Sequence, residues 1–273
     1  MHGCGNDYIY INCFEEEVTD PSALAIALSD RHCGIGGDGI VLIRPSEQAD
    51  FFMDMYNLDG SRGKMCGNAI RCVGKYVYDH GMTDRRELTI ETLSGLKYLS
   101  LSTGADGTVS SVTVNMGHPV TEPARIPLDT SIIRECKAAY TLAADARALQ
   151  FTFVSMGNPH AVTFVDDVST VEVTELGPVF EHHAVFPEQA NIEFVHVLDR
   201  RHIEFRVWER GSGETRACGT GACASAYACI LNGLTGDEVS VRMPGGELSI
   251  RYSRIEDIIY MTGPAVEVFH GEV

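Results

Sequence analysis

Phe51, Met53 and Met55 alternate with Phe52, Asp54 and Tyr56, a period of two that predicts a strand with two distinct faces. From Gly67 the period changes. Ile70, Val73 and Val77 recur at helical spacing and Gly81 supplies a stop, so a helix is expected over 67–80. Upstream, Asp20-Pro21 before Ser22-Ala23-Leu24-Ala25 offers an N-cap and a first-turn proline for a helix ending before Gly34. Residues 88–102 and 108–115 then read as strands. In the second half, 151–154, 161–165, 192–197 and 202–208 are strand-like. Ala222, Ala226 and Ile230 mark another helix, stopped by Gly233, and 239–243 with 248–252 form a hairpin around Pro244-Gly245-Gly246.

The two halves repeat one another. Gly5-Asn6 recurs as Gly157-Asn158 and Cys66-Gly67 as Cys218-Gly219, both 152 residues on. At the same offset Gly81 recurs as Gly233, Lys64 meets Arg216, and Asn57 at a strand end falls on Glu209. Several matches at one offset indicate a duplication, with two similar domains facing each other across a cleft. The similarity fades after about residue 90, and 122–150 reads as a connecting or peripheral insertion.

Composition narrows the function classes. The 273 residues carry 38 acidic against 21 basic side chains, a formal charge of −17. That is the wrong sign for a nucleic-acid or anionic-membrane binder. No apolar run approaches the roughly 18 residues of a spanning helix, and Met1-His2-Gly3-Cys4-Gly5-Asn6 lacks the form of a signal peptide, so a cytoplasmic location is expected. Nine cysteines (Cys4, Cys13, Cys33, Cys66, Cys72, Cys136, Cys218, Cys223 and Cys229) are an odd number, unlike a disulfide framework. No pair has C-x-x-C spacing, which argues against a zinc ribbon or dithiol redox site. No metal is expected.

Each repeated Cys-Gly stands at the start of an expected helix. The first-turn N–H groups and the positive end of the helix dipole favour a thiolate there, so both thiols are expected to ionise below the ordinary value of about 8.5. The same N–H groups can hold a carboxylate. Two thiols flanking one carbon, one ionised and one protonated, can take a proton from one face and return another to the opposite face. That inverts a stereocentre.

Three segments carry a family resemblance. Met65-Cys66-Gly67-Asn68-Ala69-Ile70-Arg71-Cys72, Met156-Gly157-Asn158-Pro159-His160 and the run from Glu209-Arg210-Gly211 through Ala217-Cys218-Gly219-Thr220-Gly221 resemble diaminopimelate epimerases. His2-Gly3-Cys4-Gly5-Asn6-Asp7 and Gly34-Ile35-Gly36-Gly37-Asp38-Gly39 match further family segments, so the likeness runs over essentially the whole chain. It implies a cofactor-independent isomerase that interconverts LL- and meso-2,6-diaminopimelate, in lysine and peptidoglycan-precursor synthesis, working as a homodimer on this small-molecule substrate. The implied fold is of the α/β (α+β) class. It has two pseudo-symmetric domains, each a barrel-like, mostly antiparallel sheet around a central helix, with the active site in the interdomain cleft. The domains would span 1–117, joined by a C-terminal strand over 264–273, and 118–263.

The resemblance makes Cys66 and Cys218 the two acid/base residues. Asn6, Asn57, Asn158, Asn191, Glu209 and Arg210 match substrate-binding positions, Gly67-Asn68 and Gly219-Thr220 those gripping the carboxylate at the reacting centre, and His160 a residue beside the catalytic pair. Asparagine suits a zwitterion because its amide both donates and accepts. Glu209 can bind the α-ammonium, and Arg210 the distal carboxylate through a bidentate fork. The chain begins almost directly at His2-Gly3, where family members usually carry several residues more. Gly39 stands where some place a substrate-contacting glutamine, and its counterpart at the repeat offset is Asn191. The competing readings are another racemase of the same fold, such as a proline racemase, and a non-catalytic thiol-redox or metal-binding protein. The Cys-Gly-Asn start differs from the Cys-Gly-His common in proline racemases.

Overall fold

The computed structural model describes residues 1–132, 135–136, 139–144 and 147–273; the side chain of Cys136 lies outside the described residues, as does part of the expected insertion. The chain divides into two units, Met1–Asn115 with Thr262–Val273, and Met116–Met261.

The first unit runs β1 (His2–Gly3), β2 (Asn6–Asp7), β3 (Ile9–Asn12), α1 (Pro21–Ser29), β4 (Gly39–Arg44), β5 (Phe51–Asn57), β6 (Arg62–Gly63), α2 (Gly67–Asp79), β7 (Glu87–Thr92), β8 (Gly95–Thr103) and all but the last two residues of β9 (Val109–Gly117). Helix α1 starts as its sequence suggests, with Asp20 accepting the Ala23 N–H and Pro21 in the first turn. Residues 88–102, expected as one strand, fold as the β7–β8 hairpin. Thr92 breaks the run, because its hydroxyl donates to the Gly95 carbonyl and accepts the Ser94 N–H.

The second unit contains β10 (Glu135–Cys136), β11 (Ala139–Ala144), β12 (Arg147–Ser155), β13 (Pro159–Phe164), α3 (Val173–Glu181), β14 (Asn191–Val197), β15 (His202–Glu209), β16 (Gly213–Thr215), α4 (Gly219–Leu231), β17 (Glu238–Met243), β18 (Gly246–Ser253) and all but the last two residues of β19 (Ile258–Gly263). Beyond β19 the backbone makes one antiparallel bridge, Val266 with His2, in place of the strand expected over 264–273. Pro264 has no N–H for a ladder, and the chain is mostly exposed from Val266 onward, with no buried face to hold an extended pairing.

The duplication is written into the ladders. Parallel strands β3 and β4 pair Ile9 with Ile40, and β13 and β14 pair Ala161 with Ile192, each residue displaced by the repeat offset. Antiparallel β4–β5 pairs Ile40 with Tyr56, and β14–β15 pairs Ile192 with Trp208. Met55 opposite Gly63 becomes Val207 opposite Thr215. Register sets which face every side chain occupies, so two independent ladders do not share it by chance over this length. Helices α2 and α4 have the same thirteen-residue length. In the second unit, α4 is buried along nearly all of that length and packs on β12–β15, β17 and β18. Its Ala222, Ala224, Ala226 and Ala228 are small enough to let surrounding strands approach.

Candidate active site

Cys66 and Cys218 are the N-cap residues of α2 and α4. Both have extended backbones, φ/ψ −133/122° and −127/110°, which end the preceding strand-like chain and open the helix. The Cys66 sulfur accepts the Ala69 N–H at 3.5 Å and the Cys218 sulfur the Gly221 N–H at 3.4 Å. A thiol here does the work usually given to a serine or aspartate oxygen. It also sits among first-turn N–H groups that have no carbonyl four residues back to serve them.

Around Cys66, the thiol donates to Asn6 Oδ1 at 3.3 Å. The other end of that amide donates to Asp38 Oδ2 at 2.7 Å, and Asp38 is in turn held by Arg31, which forks onto Asp7. Asn68 accepts from Arg71 at 3.0 Å. Fully buried Arg71 also donates to the Gly67 and Pro264 carbonyls, fixing the first turn of α2. Asn57 stands at the end of β5 and donates to Ser61. Gly39 is glycine for a steric reason: a Cβ there would meet the Tyr56 carbonyl oxygen at 2.1 Å and the Tyr8 ring at 2.9 Å. Gly39→Ala is therefore expected to lower stability by about 1–3 kcal/mol, read as a drop in thermal midpoint. A midpoint equal to the parent's would contradict the close approach.

In the second unit, Cys218 lies within 3.6 Å of the Thr220 hydroxyl. Asn158, in the β12–β13 turn, meets His160 Nε2 at 3.1 Å, and His160 Nδ1 meets Glu193 at 2.6 Å. The Glu209-Arg210-Gly211 turn is held from beneath. Asn191 accepts the Arg210 N–H and donates to the Pro159 carbonyl, while buried Glu181 accepts the Gly211 N–H and the Trp208 indole N–H. Asn191 thus uses both ends of its amide on the main chain, the capping role that asparagine commonly takes. Glu209 accepts from Thr215, and Arg210 reaches the Glu188 carbonyl.

The expected depression of both thiols does not hold for Cys218. Burial, then the carboxylates of Glu209 and Glu193, push this thiol well above the ordinary cysteine range, and the bonds from Thr220 and Gly221 offset only part of that. Helix-start N–H groups stabilise a thiolate, but desolvation beside two acids costs more. The sign gives a test. The rate of Cys218 alkylation by iodoacetamide is expected to keep climbing through alkaline pH, past the point where an ordinary thiol levels off. A plateau near neutrality would refute it.

Sequence reading missed Asp38, Glu193 and Glu181. Asp38 lay inside a matched segment without a role. The signal for Glu193 was a charged residue within the apolar run Ile192-Glu193-Phe194-Val195. Among the described residues, no group of three or more His, Cys, Asp or Glu side chains forms a metal-holding cluster, and no helix is long and apolar enough to cross a membrane.

The model of the family described as diaminopimelate epimerase matches residues 1–122 and 152–268. A diaminopimelate epimerase of Acetivibrio thermocellus is 52% identical over 273 residues, covering 100% of this chain and 96% of that protein. One from Methanococcus maripaludis is 48% identical over 276 residues, covering 100% and 98%. Among solved structures, a methylitaconate-delta-isomerase superposes with a TM-score of 0.66 at 16% identity, covering 100% of this chain and 93% of the other. A probable proline racemase from Agrobacterium radiobacter gives 0.63 at 19%, covering 90% and 79%. At such identities these two structures establish the shared fold alone.

Proposed function

The chain belongs to the diaminopimelate epimerase family, and on that premise we propose that it interconverts LL- and meso-2,6-diaminopimelate by proton transfer between two thiols, Cys66 and Cys218, without a cofactor. The observation that carries the two-thiol reading is the equivalence of the cysteines. Each caps a thirteen-residue helix, at the same place in two ladders of the same register. A thiolate takes the α-proton and becomes a thiol. The electron pair left on the α-carbon spreads into the adjoining carboxylate, which the helix-start N–H groups at Gly67-Asn68 and Gly219-Thr220 are suited to hold. The second thiol then gives its proton to the opposite face and becomes the thiolate. Charge and electrons balance, and the enzyme is left ready for the reverse reaction.

The raised Cys218 thiol supports its starting as the proton donor in the free enzyme. Glu209 is the carboxylate for the substrate ammonium, and Arg210 the guanidinium for its distal carboxylate. An ammonium beside Glu209 cancels one of the charges that hold the Cys218 thiol up, so binding itself eases ionisation for the return reaction. Asn6, Asn57 and Asn158 serve as polar contacts to the zwitterion, Asn191 holds the Arg210 turn, and His160 orients Asn158. The test is incubation with LL-diaminopimelate in deuterium oxide, without pyridoxal phosphate. Meso product carrying deuterium at one α-carbon is expected; absence of turnover, or product without deuterium, would overturn the reading.

A further inference from the structure

Glu193 and His160 are both buried, Glu193 with no exposed surface and His160 with 1%. Their short contact leaves Glu193 Oε2 buried without a hydrogen-bond partner. A buried carboxylate is costly, and an unsatisfied oxygen adds to the cost. The duplicated fold shows that the position does not require it. At the repeat offset, Glu193 corresponds to Val41 and His160 to Tyr8. Val41 pairs with Tyr10 and Met55 as Glu193 pairs with Val162 and Val207. Val41 is fully buried, so a plain apolar side chain satisfies the same slot.

We propose that Glu193 is a positioning residue of the active site: with His160 it forms a buried pair of no net charge that keeps a proton on His160 Nε2, so that Asn158 is held by its carbonyl and offers its amide NH2 to a substrate carboxylate. The geometry carries each step. The pair meets at 2.6 Å through Nδ1, and the opposite ring nitrogen meets Asn158 Oδ1 at 3.1 Å. A carbonyl oxygen can only accept, so Nε2 must donate. That requires two protons on the pair, one on Nε2 and one between Nδ1 and Oε1. Loss of either would leave a net negative charge in a dry site. The ionisable groups facing the pair disfavour that further: Glu209 from β15 and Cys218 from α4 surround Glu193, whose carboxyl burial pushes up despite the imidazole beside it.

The first unit handles the duplicate asparagine in the opposite sense. Asp38, an acceptor, takes the NH2 of Asn6 and leaves its carbonyl for the Cys66 thiol. One ancestral asparagine has thus become an acceptor in one unit and a donor in the other, each set by an ionisable partner.

The test has two arms, and only the second rests on the substrate assignment above. In protein with nitrogen-15-labelled histidine, the His160 ring is expected to show a protonated Nε2, with a strongly downfield Nδ1 proton. An unprotonated Nε2 would overturn the proposal whatever the enzyme acts on. Glu193→Leu is expected to lose the downfield proton and raise KM for diaminopimelate about tenfold, the worth of one hydrogen bond to a charged group, with kcat changed less. Glu193→Gln, whose amide can donate to Nδ1 as the protonated acid does, is expected to keep Nε2 protonated and to restore KM. A Glu193→Leu protein with parental KM, or a Glu193→Gln protein that keeps Nε2 protonated yet shares the KM defect of Glu193→Leu, would refute it.

Discussion

Cys66→Ser and Cys218→Ser are each expected to lower kcat/KM for epimerisation by about 10²–10⁴-fold, the usual contribution of a positioned acid/base group. Serine preserves the N-cap, because its oxygen accepts the Ala69 or Gly221 N–H as well as sulfur does. Stability should hold, and a loss of activity then reports on proton transfer. A hydroxyl is far less acidic than a thiol, so one face of the α-carbon loses its base and, in the reverse direction, its matched acid. Cys13→Ser should leave turnover unchanged, since Cys13 lies in no repeated motif. Near-parental epimerisation by either N-cap variant, with folding checked by circular dichroism, would end the two-thiol mechanism.

How far this site was legible in the sequence depended on whether the signal was local. The helix starts at Cys66 and Cys218 could be read because a period-3.6 pattern begins beside a repeated Cys-Gly and stops at Gly81 and Gly233, both left-handed at φ near 70°. Helix α3 was missed because it breaks local rules: Pro178 lies inside it, and Gly177 precedes that proline. Tertiary contact explains the glycine, since a Cβ there would fall 2.3 Å from the Trp208 ring. The close approach of Trp208 therefore requires a glycine within the helix, something no window of the sequence reveals. Buried Glu181, at its end, then supports the Glu209-Arg210 turn.

The protonation of Cys218 was illegible for a related reason. Its sequence neighbours describe a helix start, which favours a thiolate. Burial in the fold, together with Glu209 and Glu193 reaching it from two other strands, reverses the outcome. Local dipoles are visible in sequence; the charges that oppose them across a fold are not.

Glu209 consequently carries two effects that a single substitution can separate. Glu209→Gln removes the carboxylate proposed to meet the substrate ammonium, and breaking such a desolvated charge pair costs about 2–5 kcal/mol, a fall in kcat/KM of at least about thirtyfold. The same change deletes a negative charge that holds the Cys218 thiol up. Its sign is opposite: in the free enzyme the Cys218 thiol should ionise at lower pH, and alkylation of Cys218 should begin earlier on the pH axis than in the parent protein. Arg210→Lys provides the contrast. It keeps a positive charge but loses the planar fork, so KM should rise while the Cys218 alkylation profile stays where it was. Slower catalysis with faster Cys218 alkylation at neutral pH is thus the signature expected of Glu209→Gln alone. Parental kinetics in that variant would remove Glu209 from the ammonium site, and an alkylation profile unmoved or moved to higher pH would remove it from the electrostatics of Cys218.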